Sequence, residues 1–388
     1  MLMNSLPELK MRNTTIKIPV IQGGMGIGLS SFTLAGAVAA EGGLGVLSSA
    51  ALDRIVSDRH GKKFNHRQAA AQDVIDAKAL ANGGAIGMNI MVAVINTYED
   101  SVLGSMDGGV DAIISGAGLP MALPEIVKLH PRADEVALIP IVSSGRATEV
   151  IFKRWSRSGR LPDALVVEGP LAGGHIAWRE IDQANDPANK LENLLLEVLE
   201  VCKNWNLDIP VIAAGGVYTH EDILHFIDMG CGGVQMGTRF LATHESGANS
   251  DYKQLLVECK EEDIELADKP GSPCGMLFRV LKQSPFYKEA LNFERPAKCD
   301  KGYLLNKGKC SAKEENIKSF CICNGLLASI KLAPNEKDLY TVGQTAHRIN
   351  KILSVKELMT ELTTPGLVFE GQFIPKVEAQ SIAVSADS

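Results

Sequence analysis

The residues best suited to chemistry stand in one short stretch, where a carboxylate, two glycines and a histidine follow an apolar run. Ala164–Val167 is typical of a buried parallel strand, and Glu168-Gly169-Pro170 then interrupts both a strand ladder and a helix. Gly173 and Gly174 let the backbone approach a flat ligand closely, and His175 adds a group that titrates near neutral pH. The stretch predicts a ligand-binding loop with one acid–base side chain, although a lone histidine more often only satisfies a neighbouring carbonyl.

A second pattern, two strand–glycine turns one β-α unit apart, is suited to holding a phosphate. Val211–Val217 reads V-I-A-A-G-G-V, an apolar strand that delivers two glycines to the start of a helix. Gly233–Arg239 reads G-V-Q-M-G-T-R and repeats the arrangement, with Thr238 as a hydroxyl donor. Backbone N–H groups from two such turns can converge on one phosphate. The pair is the phosphate site expected after strands seven and eight of a β/α barrel.

The elements that must position these residues alternate regularly from Ile18 onward. Short apolar runs are separated by segments with apolar residues at helical spacing, and eight β-α units predict a TIM (β/α)8 barrel. A doubly wound sheet is the alternative, but Gly24-Met25-Gly26-Ile27-Gly28 after the first run lacks the spacing of a dinucleotide fingerprint. The predicted strands are Val20–Gln22, Gly45–Leu47, Ile86–Ile90, Ala112–Ser115, Leu138–Val142, Ala164–Val167, Val211–Ala214 and Val234–Met236.

Composition limits the function classes. The 388-residue chain has a formal net charge of −7, 45% hydrophobic residues and 5% aromatic residues. An acidic chain with few aromatics argues against binding to nucleic acid or to anionic membranes. The N-terminal residues lack a signal-peptide pattern and no apolar run approaches a membrane span, so we expect a cytoplasmic protein with no membrane partner.

The chain is expected to divide into four parts: the barrel at 1–244, a small, mainly helical appendage at 245–320, helices that return to the barrel at 321–375, and a tail at 376–388. Within the appendage, Glu258–Glu265 is predicted to be helical. Four cysteines cluster near its end, but their spacing does not match common zinc or iron–sulfur sites, so we expect reduced thiols and no metal. These cysteines are Cys299, Cys310, Cys321 and Cys323.

Six ordered motifs together resemble the nitronate monooxygenase family, formerly called 2-nitropropane dioxygenases. The resemblance covers roughly Ile18 to Leu362, and FabK-type flavin enoyl-acyl-carrier-protein reductases share the same motifs and barrel. The motifs are I-P-V-I-Q-G-G-M-G-I-G at Ile18–Gly28, G-M-N-I-M at Gly87–Met91, S-G-A-G-L-P at Ser115–Pro120, E-G-P-L-A-G-G-H at Glu168–His175, I-A-A-G-G-V at Ile212–Val217 and G-V-Q-M-G-T-R-F-L-A-T at Gly233–Thr243.

The resemblance implies noncovalent FMN and a set of residues that bind it. Gly215, Gly216, Gly237 and Thr238 would hold the phosphate, and Gly24, Met25 and Asn89 would face the isoalloxazine ring. Glu168 would hydrogen-bond the ribityl chain or ring edge, Gly173 and Gly174 would let their loop lie over the flavin, and His175 matches the family's proposed general base. The whole expected cofactor-binding set is Gly24, Met25, Gly26, Asn89, Glu168, Gly173, Gly174, Ala214, Gly215, Gly216, Gln235, Met236, Gly237 and Thr238.

The function implied is FMN-dependent oxidation of alkyl nitronates or nitroalkanes with O2, with His175 as general base or as hydrogen-bond donor to the nitronate. Two alternatives stay open: an NAD(P)H-dependent reductase of enoyl thioesters, and a flavin-binding protein without catalysis of its own. The sequence departs from many relatives at Leu171, where they carry an acidic residue. Arg179 and Arg239 could clamp an anionic substrate or form surface ion pairs, and a homodimer is an open assembly.

Overall fold

The computed structural model describes residues 6–268, 270–272, 276–292 and 322–369. Within them a short antiparallel hairpin precedes eight parallel strands in one sheet, and a three-stranded sheet begins in the loop after the sixth of these strands. The described strands are β1 (Leu9–Met11), β2 (Thr14–Ile16), β3 (Val20–Gln22), β4 (Gly45–Ser48), β5 (Ile86–Met91), β6 (Ala112–Gly116), β7 (Ala137–Val142), β8 (Leu165–Glu168), β9 (Gly174–His175), β10 (Val211–Ala214), β11 (Gly233–Met236), β12 (Ile264–Ala267) and β13 (Phe278–Leu281).

The large sheet curls into a TIM barrel, as the alternation of the sequence predicts. Its strand order is β3-β11-β10-β8-β7-β6-β5-β4, and all pairs are parallel. The first and last strands of this order meet at a bridge between Ile21 and Leu44, where Gln22 N–H donates to Leu44 O at 3.0 Å. Each predicted barrel strand agrees with the observed one to within one residue at either end.

Helices surround the barrel, and several begin directly at the active-face ends of strands. Ser144 caps the helix after β7, and Thr219 caps the helix after β10 in a reciprocal capping box with Asp222. The described α-helices are α1 (Phe32–Ala40), α2 (Leu52–His60), α3 (His66–Leu80), α4 (Tyr98–Asp107), α5 (Leu123–Val127), α6 (Gly145–Arg157), α7 (Ile181–Asn185), α8 (Leu191–Asn204), α9 (His220–Asp228), α10 (Thr238–Leu241), α11 (Ser250–Glu258), α12 (Pro285–Leu291), α13 (Ile322–Ala328) and α14 (Val355–Thr363).

Side chains fill the barrel interior and leave only its mouth for a ligand. Along β8, Val166 joins the interior cluster while Leu165 and Val167 pack outward among the helices. The interior cluster includes Ile21, Val46, Ile114, Ile139, Val166, Ile212 and Ala214, all buried. Because these branched side chains fill the space between the strands, chemistry is confined to the loops at the carboxyl ends of the strands.

The predicted helix at Glu258–Glu265 is wrong, and the reason lies in a distant part of the chain. Helix α11 ends at Glu258, a 3₁₀ turn follows at Glu261–Asp263, and Ile264–Ala267 is strand β12. This strand pairs with β13 in antiparallel fashion, and β13 in turn pairs with β9. The acidic run looks helical in isolation, but pairing with a remote strand decides its conformation.

The other expectations for the second half of the chain have mixed outcomes. Apolar residues at helical spacing predict amphipathic helices at 320–332 and 346–362. Residues 322–328 of the first range are observed as α13, whereas the second range divides into a 3₁₀ turn, Gln344–Arg348, and α14. The thiols of Cys299, Cys310 and Cys321 and the tail at 376–388 lie outside the described residues. No helix in the described part of the chain is both long and apolar enough to cross a membrane.

Candidate active site

Three strand ends bring polar and small residues together at the barrel mouth. Glu168, Ala214 and Gln235 lie in register at the ends of β8, β10 and β11. Ala214 belongs to the barrel interior, and residues in register on neighbouring strands point to the same side of a sheet, so Glu168 and Gln235 also face the axis. The Oε1 atom of Gln235 is buried and has no hydrogen-bond partner within the described residues. A ligand with a polar edge fits this position.

The two predicted phosphate turns lie side by side, because the strands that lead into them are paired. Gly215 and Gly216 adopt φ values of 95° and 99°, which glycine tolerates best. The N–H groups of Gly216, Val217 and Gly237 have no acceptor among the described residues. Donors left without acceptors at adjacent turns form an anion-binding concavity.

A residue that the sequence analysis missed, Gly343, completes this region. Its N–H donates to Thr238 Oγ1 at 2.9 Å, which leaves the hydroxyl proton of Thr238 to donate elsewhere. A Cβ on Gly173 would stand 2.7 Å from Gly343 N, so the loop after β8 and the segment before the Gln344–Arg348 turn meet with no room for a side chain. In the sequence this position is marked only by a single glycine. Nothing in the sequence indicates that Gly343 contacts Thr238, which lies 105 residues away along the chain.

The loop after β3 supplies the adjoining wall, because β3 is paired with β11. A Cβ on Gly24 would lie 2.2 Å from Asn89 Cβ, so these two residues are in direct contact, and Met25 packs near Gly237. The loop is held by Ser30, whose Oγ accepts the N–H of Met25 at 2.7 Å. Gln22, another residue that the sequence analysis missed, is fully buried and donates from Nε2 to Ser30 Oγ at 2.7 Å while its Oε1 accepts from the backbone of β4. In the sequence Gln22 stands out only as a polar residue at the end of an apolar strand.

His175 lies on the short strand β9, which pairs with β13 outside the barrel. Its Nε2 is 2.6 Å from Ser272 Oγ, and its ring stands edge-on to Phe278 with centroids 4.9 Å apart. His175 Nδ1 has no hydrogen-bond partner within the described residues, so one ring nitrogen is available to a ligand. The imidazole is therefore held in orientation from one side and open to chemistry from the other.

Glu168 is electrostatically unusual among the predicted residues. Its carboxyl makes no hydrogen bond or ion pair with another described residue, and although part of the surface of Glu168 is accessible, burial raises the pKa of this carboxyl from 4.5 to about 7. A carboxyl with this pKa exists in both protonation states near neutral pH. It can accept hydrogen bonds from ligand hydroxyls, or donate one when protonated.

Of the two arginines that the sequence offered as anion clamps, Arg179 is exposed and Arg239 has a structural role. Arg239 lies 2.5 Å from Glu361 and its guanidinium stacks over Tyr218. Both members of the ion pair are largely buried, which ties α10 to α14. In the described part of the chain, no group of three or more His, Cys, Asp or Glu side chains is arranged to hold a metal ion.

The barrel mouth thus brings together two glycine turns with free N–H groups, a glycine-lined wall and His175. The family model described as nitronate monooxygenase matches residues 8–365. The chain therefore belongs to the nitronate monooxygenase family, whose members are flavin-dependent oxidoreductases, and it is an enzyme of that class.

Individual relatives agree with this assignment. A probable nitronate monooxygenase of Staphylococcus saprophyticus is 28% identical over 272 residues, 64% of this chain and 72% of that protein. One from Staphylococcus haemolyticus is 37% identical over 107 residues, and the match spans only 29% of that protein's length. Among solved structures, FabK from Thermotoga maritima is 25% identical with a TM-score of 0.63 over 89% of this chain and 92% of its own. Nitroalkane oxidase from Streptomyces ansochromogenes, 22% identical, has a TM-score of 0.61 over 89% and 95%.

We expect Glu168 to lower the stability of the flavin-free protein as pH rises. Its folded pKa lies above the unfolded value, so the folded state binds the proton more tightly, and this stabilisation is lost between about pH 4.5 and 7. Glu168→Gln, which is always neutral, should therefore be more stable than the wild type at pH 8 by up to roughly 3 kcal/mol. The two proteins should differ much less at pH 4.5.

Urea unfolding at both pH values measures this difference, and Glu180→Gln at an exposed site of the same region is the control. Parallel pH profiles for wild type and Glu168→Gln would show that the Glu168 carboxyl is solvated in solution.

Proposed function

We propose that this protein is an FMN-dependent nitronate monooxygenase that oxidises alkyl nitronates and nitroalkanes with O2. The observation that carries the proposal is the position of His175, at the end of a glycine loop that also contacts the turn Gly215-Gly216. A Cβ on Gly216 would stand 3.0 Å from Leu171, and one on Gly215 would stand 3.1 Å from Ala172 N. The loop thus links the base to the phosphate site over a short distance.

FMN fits the residues at the mouth. The free N–H groups of Gly216, Val217 and Gly237 and the hydroxyl of Thr238 would hold its phosphate. The glycine-lined wall around Gly24, with Met25, Gly26 and Asn89, would face the ring. When bound, FMN supplies an electron acceptor for the substrate that can in turn be reoxidised by O2.

The remaining cofactor residues have distinct tasks in this proposal. Glu168 and Gln235 face the barrel axis and would bond the ribityl hydroxyls or the ring edge, Glu168 in either protonation state. Ala214 and Met236 end the strands that lead into the phosphate turns. Gly174, with a φ of 67° and no atom within 4 Å of its missing Cβ, leaves open space beside His175.

The chemistry assigned to His175 is removal of a proton from carbon. A C–H next to a nitro group is acidic because the resulting charge spreads onto the nitro oxygens, so imidazole is a strong enough base. Hydrogen bonding to Ser272 leaves Nδ1 of His175 to take this proton. A positioned general base contributes about 10²–10⁴-fold to the rate. Toward a preformed nitronate, His175 would act as a hydrogen-bond donor instead.

A second candidate function is reduction of an enoyl thioester by NAD(P)H, with His175 near the substrate carbonyl. The observation that favours it is the structural similarity to FabK. The barrel and its phosphate turns serve either reaction, because fold does not fix chemistry.

The two functions are separated by their substrates. We expect O2 uptake with an alkyl nitronate in the absence of NAD(P)H, and no oxidation of NADH or NADPH that depends on a crotonyl thioester. Stoichiometric crotonyl-dependent oxidation of NAD(P)H without nitronate-dependent O2 uptake would establish the reductase in its place.

The cofactor is tested by its release. Because the paired turns provide donors for one phosphate, the purified protein should be yellow and should release FMN on denaturation. Chromatography of the supernatant distinguishes FMN from FAD. Release of FAD, or absence of flavin binding at micromolar concentrations, would contradict the phosphate assignment.

The role of His175 is tested by substrates that differ by one proton. His175→Ala should lower turnover of neutral nitroalkanes by about 10²–10⁴-fold while affecting preformed nitronates much less, because only the former need deprotonation. The flavin spectrum should stay close to that of the wild type. His225→Ala, at an exposed histidine on α9, is the matched control. Equal losses on both substrates would indicate that His175 positions the substrate and is not the base.

A further inference from the structure

Arg279 is an arginine inside an apolar strand, and no part of the proposed chemistry uses it. It lies in β13 between Phe278 and Val280, and only 4% of its surface is exposed. Arginine is rarely buried to this extent without a paired carboxylate. We therefore expect its guanidinium to make specific polar contacts outside the strand.

The contacts of Arg279 are with the backbone of the loop after β8. Its Nη1 donates to Pro170 O at 2.7 Å and to Ala172 O at 2.5 Å, the carbonyls on either side of Leu171. No carboxylate of the described residues lies within ion-pair distance, and its buried Nε has no partner among them. The positive charge is therefore compensated by carbonyl dipoles of this loop. Burial lowers the pKa of Arg279 to about 10, so it stays charged at neutral pH.

The strand pairing extends this contact to His175. Arg279 pairs with Gly174 and Phe278 pairs with His175, in the antiparallel ladder between β13 and β9. Neighbouring residues on a strand point to opposite faces, so the guanidinium holds the loop from one face while Phe278 contacts the imidazole on the other. Strand β13 thus contacts both the loop that precedes His175 and His175 itself.

We propose that Arg279 is a positioning residue that latches the loop Gly169–Gly174 and so sets the place of His175 relative to the phosphate turns. The significance for His175 rests on the proposed function, but the latch itself does not. Leu171 lies against Gly216 on the phosphate turn, so movement of the loop changes the spacing between the two halves of the site. Small misplacements of this kind cost large factors in rate.

The latch is tested first without flavin or substrate, by amide hydrogen exchange. Arg279→Met has a similar length but no donors, and should raise exchange at Ala172 and Ile176, whose amides are hydrogen-bonded within the loop and just after it, by about tenfold or more. Amides of β7 should keep their protection. Arg160→Met is the matched control, because Arg160 also bonds two carbonyls, those of Ala133 and Val136, at the opposite end of the barrel.

Unchanged exchange in the loop of folded Arg279→Met would overturn the proposal. Should that variant fail to fold, Arg279→Leu, which likewise has no donors and is smaller, is measured in its place with the same two outcomes. Because exchange needs no substrate, this result is independent of whether the protein oxidises nitronates.

Kinetics then separate positioning from a purely structural role. With saturating flavin, Arg279→Met should lower kcat by about 10- to 100-fold with little change in KM, and Arg279→Lys should recover part of the loss because it keeps a buried cationic donor. Arg160→Met should leave kcat per folded enzyme unchanged. Equal kcat in Arg279→Met and wild type would contradict the role of the latch in placing His175.

Discussion

The antiparallel pairing of β9 with β13 is the interaction on which the candidate site depends. A two-residue strand in a barrel loop has too few contacts to hold a conformation of its own, since even an isolated hairpin is marginal in water. Here Gly174 and His175 form the edge of a sheet whose other strands come from residues 264–281. The segment that follows the barrel therefore contributes to the candidate site together with the barrel. Truncation after the last barrel strand would remove the partner of His175.

The filled barrel interior is the second constraint. Branched side chains occupy the axis up to the level of Val166 and Ile212, so the next inward-facing positions are the first that a ligand can reach. Glu168 and Gln235 occupy these positions, and both are polar groups with unmet hydrogen-bonding capacity in the described structure. Polar groups above an apolar interior raise the free energy of the unliganded protein when they lack hydrogen-bond partners. A ligand that hydrogen-bonds to them removes this cost.

The similarity to both FabK and nitroalkane oxidase is a similarity of fold, and a shared barrel does not fix the reaction. The three chains share the fold at TM-scores of about 0.6, while sequence identities stay at 22–25%. In this chain the exposed Leu171 stands in the loop after β8, where it adds no charge.

The sequence by itself determined the eight barrel strands and the two glycine turns after β10 and β11, because each rests on a local pattern of apolar runs, glycines and caps. Tertiary structure alone decided the rest. Ile264–Ala267 is a strand because β13 lies beside it, and local composition suggested a helix. Gly343 reaches Thr238, and Arg279 reaches the loop after β8, across more than 100 residues of chain. Contacts between residues so far apart leave no periodic trace in the sequence, since they form only when the closed barrel brings its loops to one face.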